Sequence, residues 1–213
     1  MKVSPSVLTA DYLALDSTLR TLEKAGTDML HLDVMDGAFV PNISFGAPVV
    51  KSVAAHTDIP LDVHLMINEP HRFIKDFAPY CDYLNIHLEA ESDVEGTLEN
   101  IRALGCRPAI TIKPKTDAEE VFPYIPIVDM VLVMSVEPGF GGQKFMPDSL
   151  QKVRKIKAEA ERLGKDIEIE IDGGINAETA PLAAEAGVTV LVAGSYLFNS
   201  DDIGAEVVKL KKL

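Results

Sequence analysis

The sequence predicts an α/β protein built as a (β/α)8 barrel, a single domain over residues 1–213, and three observations lead there. Short apolar runs alternate with longer amphipathic segments, each switch is marked by Gly, Pro, Asn or Asp, and the alternation repeats eight times. Spread over 213 residues, the units average roughly 27 residues, which suits a compact parallel barrel at the small end of its range. The rival, an open doubly wound sheet, carries a glycine fingerprint after its first strand, and "SPSVLTAD" contains no glycine.

In chain order, the first strand is "KVSPSVL" (2–8), followed by a helix over "DYLALDSTLRTLEKAG" (11–26) that closes at Gly26. "DMLHLDVM" (28–35), "PLDVHLM" (60–66) and "YLNIHLE" (83–89) are the next three strands. "RPAITIK" (107–113) and "MVLVMSV" (130–136) follow. The clearest helix is "PDSLQKVRKIKAEAERLG" (147–164), where Leu150, Val153, Ile156, Ala160 and Leu163 recur at helical spacing between Pro147 and Gly164. "IEIEID" (167–172) and "TVLVAG" (189–194) complete the set.

Composition narrows the function. A hydrophobic content of 47% is enough for a sizeable core, and a net charge of -13 argues against nucleic acid or an anionic membrane as a partner. Any anionic ligand must be held locally. Cys81 and Cys106 are too few for a disulfide framework or a Cys-rich zinc site, and the N-terminus lacks a signal-length apolar run. The expectation is a cytoplasmic protein with reduced thiols.

Strand periodicity exposes the chemistry. Successive side chains of a strand point to opposite faces, so His31, Asp33 and Met35 share one face while Leu30, Leu32 and Val34 share the other. His64 stands opposite Val63 and Leu65, and Glu168, Glu170 and Asp172 stand opposite Ile169 and Ile171. In a barrel, residues at the C-terminal strand ends build the active site, so polar groups converge from at least three strands. Burying them without partners costs several kcal/mol each. Two imidazoles and two carboxylates suit one divalent cation, zinc first, with iron, manganese or cobalt open. His87, Glu89 and Glu170 are expected to support that centre from behind or to pair internally.

Glycines mark the other half of the site. Gly139, Gly141 and Gly142 follow the sixth strand, Gly173 and Gly174 the seventh, and Gly194 with Ser195 the eighth, before the short "YLFN" segment. Backbone N–H groups can turn toward an anion there, and barrels commonly hold phosphate after strands seven and eight. A phosphorylated substrate is expected, in a TIM barrel of the phosphate-binding type.

Taken in order, "SPSVLTAD", "HLDVMDGAFVPNISFG", "DVHLM", "MSVEPGFGGQKF", "EIDGGIN" and "VAGSYLF" resemble the ribulose-phosphate 3-epimerase family from end to end. The resemblance implies interconversion of D-ribulose 5-phosphate and D-xylulose 5-phosphate. It implies metal ligation by His31, Asp33, His64 and Asp172, with Asp33 and Asp172 also as the acid–base pair. It places Ser6, His64 and the mobile "MDGAFVPN" loop at the sugar. Gly139, Phe140, Gly141, Gly142, Gly173, Gly174, Gly194 and Ser195 would surround the phosphate end, with Met35, Met66 and Met134 lining the pocket. It also implies a homo-oligomer and no organic cofactor. The chemistry agrees, because epimerising a carbon beside a ketone needs an acid and a base on opposite faces. Position 38 is alanine where relatives often carry a larger residue, so loop contacts with the sugar are expected to differ. Lys113 and Lys115 in "KPKT" are expected on a solvated rim. Lys113 also raises a Schiff-base aldolase as an alternative, and allulose-6-phosphate 3-epimerase is another.

Overall fold

The computed structural model describes residues 1–90 and 93–213. Eight strands share one sheet: β1 (Lys2–Pro5), β2 (Leu30–Met35), β3 (Leu61–Met66), β4 (Tyr83–His87), β5 (Arg107–Ile112), β6 (Met130–Met134), β7 (Glu168–Asp172) and β8 (Val190–Ala193). They run parallel in the order β1-β8-β7-β6-β5-β4-β3-β2. The two ends of that order meet through a parallel bridge between Ser6 and His31, and the N–H groups of Asp28 and Met29 donate to the Val3 carbonyl. The sheet therefore curls round into the expected barrel.

Both faces of the wall are covered, which is why β2, β3, β4 and β6 are buried along their whole length. Leu30, Leu32 and Val34 face outward into the large core shared with the helices, as do Val63, Leu65, Ile169 and Ile171. The interior is apolar at its N-terminal end, where Met29, Tyr83, Ala109, Met130 and Val190 cluster. Ionisable side chains occupy the interior beyond that plug.

The helices are α1 (Leu15–Lys24), α2 (Ala47–Ala54), α3 (Ile74–Phe77), α4 (Val94–Ala103), α5 (Ser149–Leu163), α6 (Thr179–Ala186), α7 (Ser195–Phe198) and α8 (Ile203–Lys211). α1 starts later than the sequence pattern implies. The Asp11 side chain accepts the Leu13 N–H and sets up a 3-10 turn over Tyr12–Ala14 first. α5 buries four of the five residues of its expected face, Leu150, Val153, Ile156 and Ala160, the first three worth about 1.5–3 kcal/mol each, while Leu163 at its last turn is exposed. Eight uniform strand–helix units, however, do not form. The crossover after β5 is a 3-10 helix, Ala118–Tyr124, because Pro123 within it and Pro126 after it supply no N–H for i→i−4 bonding. α3 shrinks to one turn running into a 3-10 turn that contains Pro79. Among the described residues, no helix is long and apolar enough to cross a membrane.

α5 ends at Gly164 with φ +64°, and a Cβ there would meet nothing within 4 Å. Substitution at this site is therefore a test of backbone conformation alone. Gly164→Ala should destabilise the fold by about 1 kcal/mol. Differential scanning calorimetry should show a fall in Tm of about 2–4 °C.

Candidate active site

A cavity of about 650 Å³ opens where the strands end at their C-terminal side. Ser6 from the β1 end, Asp33 and Met35 from β2, and Met66 from β3 line it. Met134 from β6 and Asp172 from β7 complete the inner wall. His31 and His64 are fully buried just beneath this surface rather than on it. The three methionines give the wall a water-poor lining, as the sequence suggested.

Beneath the floor the polar side chains form one connected cluster. His31 stands between two acids, with Nδ1 2.5 Å from Asp62 Oδ2 and Nε2 3.3 Å from Asp33 Oδ1. Asp172 Oδ2 lies 4.0 Å from the same Nε2. His64 Nδ1 is 3.1 Å from Asp33 Oδ1, and Ser6 Oγ donates to Asp33 Oδ2 at 2.7 Å. One ligand atom from each of His31, Asp33, His64 and Asp172 falls within 4.8 Å of the others. Two imidazoles and two carboxylates that close together are a donor set that a divalent cation fits.

The same crowding drives the acids apart in charge. Burial works against a charged Asp33, yet the charge and hydrogen bonds of His31 and His64 outweigh it and hold Asp33 well below the usual carboxylate range. Asp172 is pushed up to about 6, first by burial and then by the charge of Asp33. Burial depresses His31, but Asp33 and Asp62 more than restore it and raise its pKa well above the ordinary imidazole value. Burial, and then the charge of the neighbouring Asp62, push Glu170 well above the usual carboxylate range deeper in the barrel. His87 is pushed down to about 4 by burial. Glu89 reaches about 2, because hydrogen bonds from His87 and Thr116 exceed the cost of its partial burial.

Glycines shape the far end of the cavity, lined by Gly139, Phe140, Gly141, Gly142, Gly173, Gly174, Gly194 and Ser195. Close approach explains two of them. Gly173 has φ +122° and a Cβ there would sit 2.5 Å from Val136 Cγ2, while one on Gly174 (φ +66°) would collide with the Phe145 backbone. The β2 and β6 loops meet across the mouth, where Asn42 Nδ2 donates to the Gly139 carbonyl at 2.7 Å. Ala38 lies exposed on that β2 loop, and its N–H donates to Asp36 Oδ1.

The Ribulose-phosphate 3 epimerase family matches residues 2–198. The chain belongs to this family. The ribulose-phosphate 3-epimerase of Bacillus subtilis (strain 168) is 46% identical over 204 residues, covering 95% of this chain and 94% of that protein. The one of Methanocaldococcus jannaschii is 41% identical over 212 residues, 100% of this chain and 90% of that protein. A crystal structure of 3-hexulose-6-phosphate synthase superposes with a TM-score of 0.74 at 16% identity, covering 100% of this chain and 99% of that one, a likeness of fold.

Within this epimerase-family site, the strand alternation brought the polar residues to the right face but missed several of them. Asp62 shares a face with His64 and Asn85 shares one with His87, so the same alternation in "LDVH" and "LNIH" carried the signal. Thr9 was also missed; it lines the cavity, and its Oγ1 is buried without a hydrogen-bond partner among the described residues. Lys113 is half-buried outside the lining of the main cavity, with its ammonium 3.6 Å from the centre of the Phe39 ring. Lys115 is on the rim, 3.9 Å from Glu137.

Asn85 Nδ2 donates to Asp62 Oδ1 at 2.5 Å, so it holds the acid that holds His31. Asn85→Ala leaves that buried oxygen without its donor and should cost about 1–3 kcal/mol in urea denaturation.

Proposed function

We propose that this chain, as one catalytic domain over residues 1–213, interconverts D-ribulose 5-phosphate and D-xylulose 5-phosphate by proton transfer at C3. The observation that carries the reading is the buried quartet His31, Asp33, His64 and Asp172 at the barrel mouth of a ribulose-phosphate 3-epimerase family member. The same four residues would hold one divalent cation, zinc by preference, with iron, manganese or cobalt accepted by the same donors. When bound, it supplies Lewis-acid stabilisation of the negative charge that develops on the substrate oxygens.

The rest of the chemistry belongs to the side chains. Asp33, held as a carboxylate, is the base that removes the C3 proton in one direction, leaving an enediolate. Asp172, pushed up to about 6 in the metal-free chain, is the acid that returns a proton to the opposite face, and the roles exchange in the reverse direction. Such an inversion needs one carboxyl group on each face of C3, and β2 and β7 supply them from well-separated strands. Ser6 donates to Asp33 and fixes the orientation of the base. Ser6 lines the sugar end with His64 buried beneath the cavity surface, and Met35, Met66 and Met134 exclude water from the enediolate. The glycine-lined end, with Thr9 Oγ1 available, would take the phosphate.

Three features support the wider setting. The acidic surface suits a small-molecule enzyme with no nucleic-acid or membrane partner. Cys81 and Cys106 as free thiols fit the cytoplasm. Leu13 is fully exposed and Ile43 75% exposed, and a second copy covering such apolar groups supports a homo-oligomer.

Asp33→Asn and Asp172→Asn should each lower kcat by about 10²–10⁴ while leaving the circular-dichroism spectrum intact. In heavy water, wild type should place deuterium at C3 of product, and unchanged turnover in either variant would remove that residue from the mechanism. A cation needs unprotonated ligands, and the charges of Asp33 and Asp62 favour the protonated form of His31 in the metal-free chain. Zinc binding should therefore release protons, and more of them near pH 5 than near pH 7, because Asp172, pushed up to about 6, is protonated at the lower pH. Affinity should fall as pH falls. Calorimetry in buffers of different ionisation enthalpy reads the proton count directly.

A further inference from the structure

The active-site wall contains a polar chain that the proton transfers do not use. His64 has one ring nitrogen on each side of it: Nδ1 faces Asp33 Oδ1 at 3.1 Å and His31 Nε2 at 3.3 Å, while Nε2 faces His87 Nε2 at 2.9 Å. His87 Nδ1 lies 3.1 Å from Glu89 Oε2. Glu89 is anchored in turn, because its Oε1 accepts the Lys113 backbone N–H at 2.8 Å and the Thr116 hydroxyl. Both rings are fully buried, with centroids 4.9 Å apart, and Phe39 covers His87 at 4.8 Å.

A neutral imidazole has one donor and one acceptor nitrogen, and a carboxylate only accepts. Glu89 takes the proton of His87 Nδ1, which leaves His87 Nε2 as an acceptor. His64 must then donate from Nε2, which leaves its Nδ1 lone pair facing the Asp33 carboxylate at 3.1 Å, two acceptors that a shared cation would reconcile. The opposite direction would set an unprotonated His87 Nδ1 against the Glu89 carboxylate, two acceptors 3.1 Å apart. We infer that His87 and Glu89 are positioning residues, which hold His64 in the Nε2–H tautomer with Nδ1 directed at the cation position. The inference rests on the metal reading above and assigns the next two links behind one of its ligands.

Histidine-labelled protein, followed by two-bond 1H–15N correlation spectra with and without zinc, tests it. In the zinc-loaded wild type, His87 should carry its proton on Nδ1 and His64 on Nε2. Glu89→Ala should move the His87 proton to Nε2 and weaken zinc in chelator competition roughly 10–100-fold. Glu89→Gln, which keeps an acceptor oxygen, should restore the His87 tautomer and most of the affinity. A His87 proton on Nε2 in the zinc-loaded wild type, or zinc affinity in Glu89→Ala within about twofold of wild type, would overturn the inference. The wild-type spectrum decides the tautomer even where a variant does not fold. If zinc leaves the His31 and His64 signals unmoved, the metal reading itself fails, a result distinct from a wrong His87 tautomer with both ligands shifted.

Discussion

His31 has a carboxylate on each of its ring nitrogens, Asp62 at 2.5 Å and Asp33 at 3.3 Å, and the interior of the barrel is organised round that pairing. Ionised groups brought out of water cost several kcal/mol apiece unless their partners are placed well. Here the partners come from adjacent strands: the β2–β3 register sets His31 beside Asp62 and Asp33 beside His64. Barrel closure between Ser6 and His31 then brings the Ser6 hydroxyl onto Asp33. A slip of one residue in that register would turn the cluster outward into the helical layer and Leu32 and Val63 inward. Strand register and charge compensation are thus one constraint.

That constraint also separates the roles of chemically similar acids. Asp33, Asp62, Glu170 and Asp172 all belong to the cluster, yet only Asp33 and Asp172 line the cavity. Asp62 and Glu170 lie below, where Asp62 accepts from His31 and Asn85 and Glu170 is pushed well above the usual carboxylate range. The apolar plug at the N-terminal end keeps water from entering behind them. Stability therefore resides mainly toward one end of the barrel and chemistry toward the other, as parallel barrels divide them.

The mouth is built on a different principle. The interior depends on side chains fixed by the sheet, whereas the glycine-lined end depends on backbone that approaches closely because side chains are absent at Gly173 and Gly174. The Asn42 contact to Gly139 joins the two loops above the cavity, so both ends of the cavity share one cover. Phe39 extends that cover inward onto His87, which links the loop to the imidazole pair beneath it.

Alternation in β2, β3 and β7 determined which face each polar residue takes, because a strand repeats every two residues whatever its surroundings. The barrel and the convergence of His31, Asp33 and His64 were legible for that reason. Depth was not legible. Glu168, Glu170 and Asp172 share one face, but Glu168 pairs with Lys2 at the outer end, Glu170 is fully buried, and Asp172 reaches the cavity. The sequence by itself determined the fold class, the family resemblance and the side of each strand that carries chemistry. Tertiary structure alone decided which acid faces the cavity and which way its pKa moves, because those depend on the stagger of neighbouring strands and the charges it brings within about 4 Å.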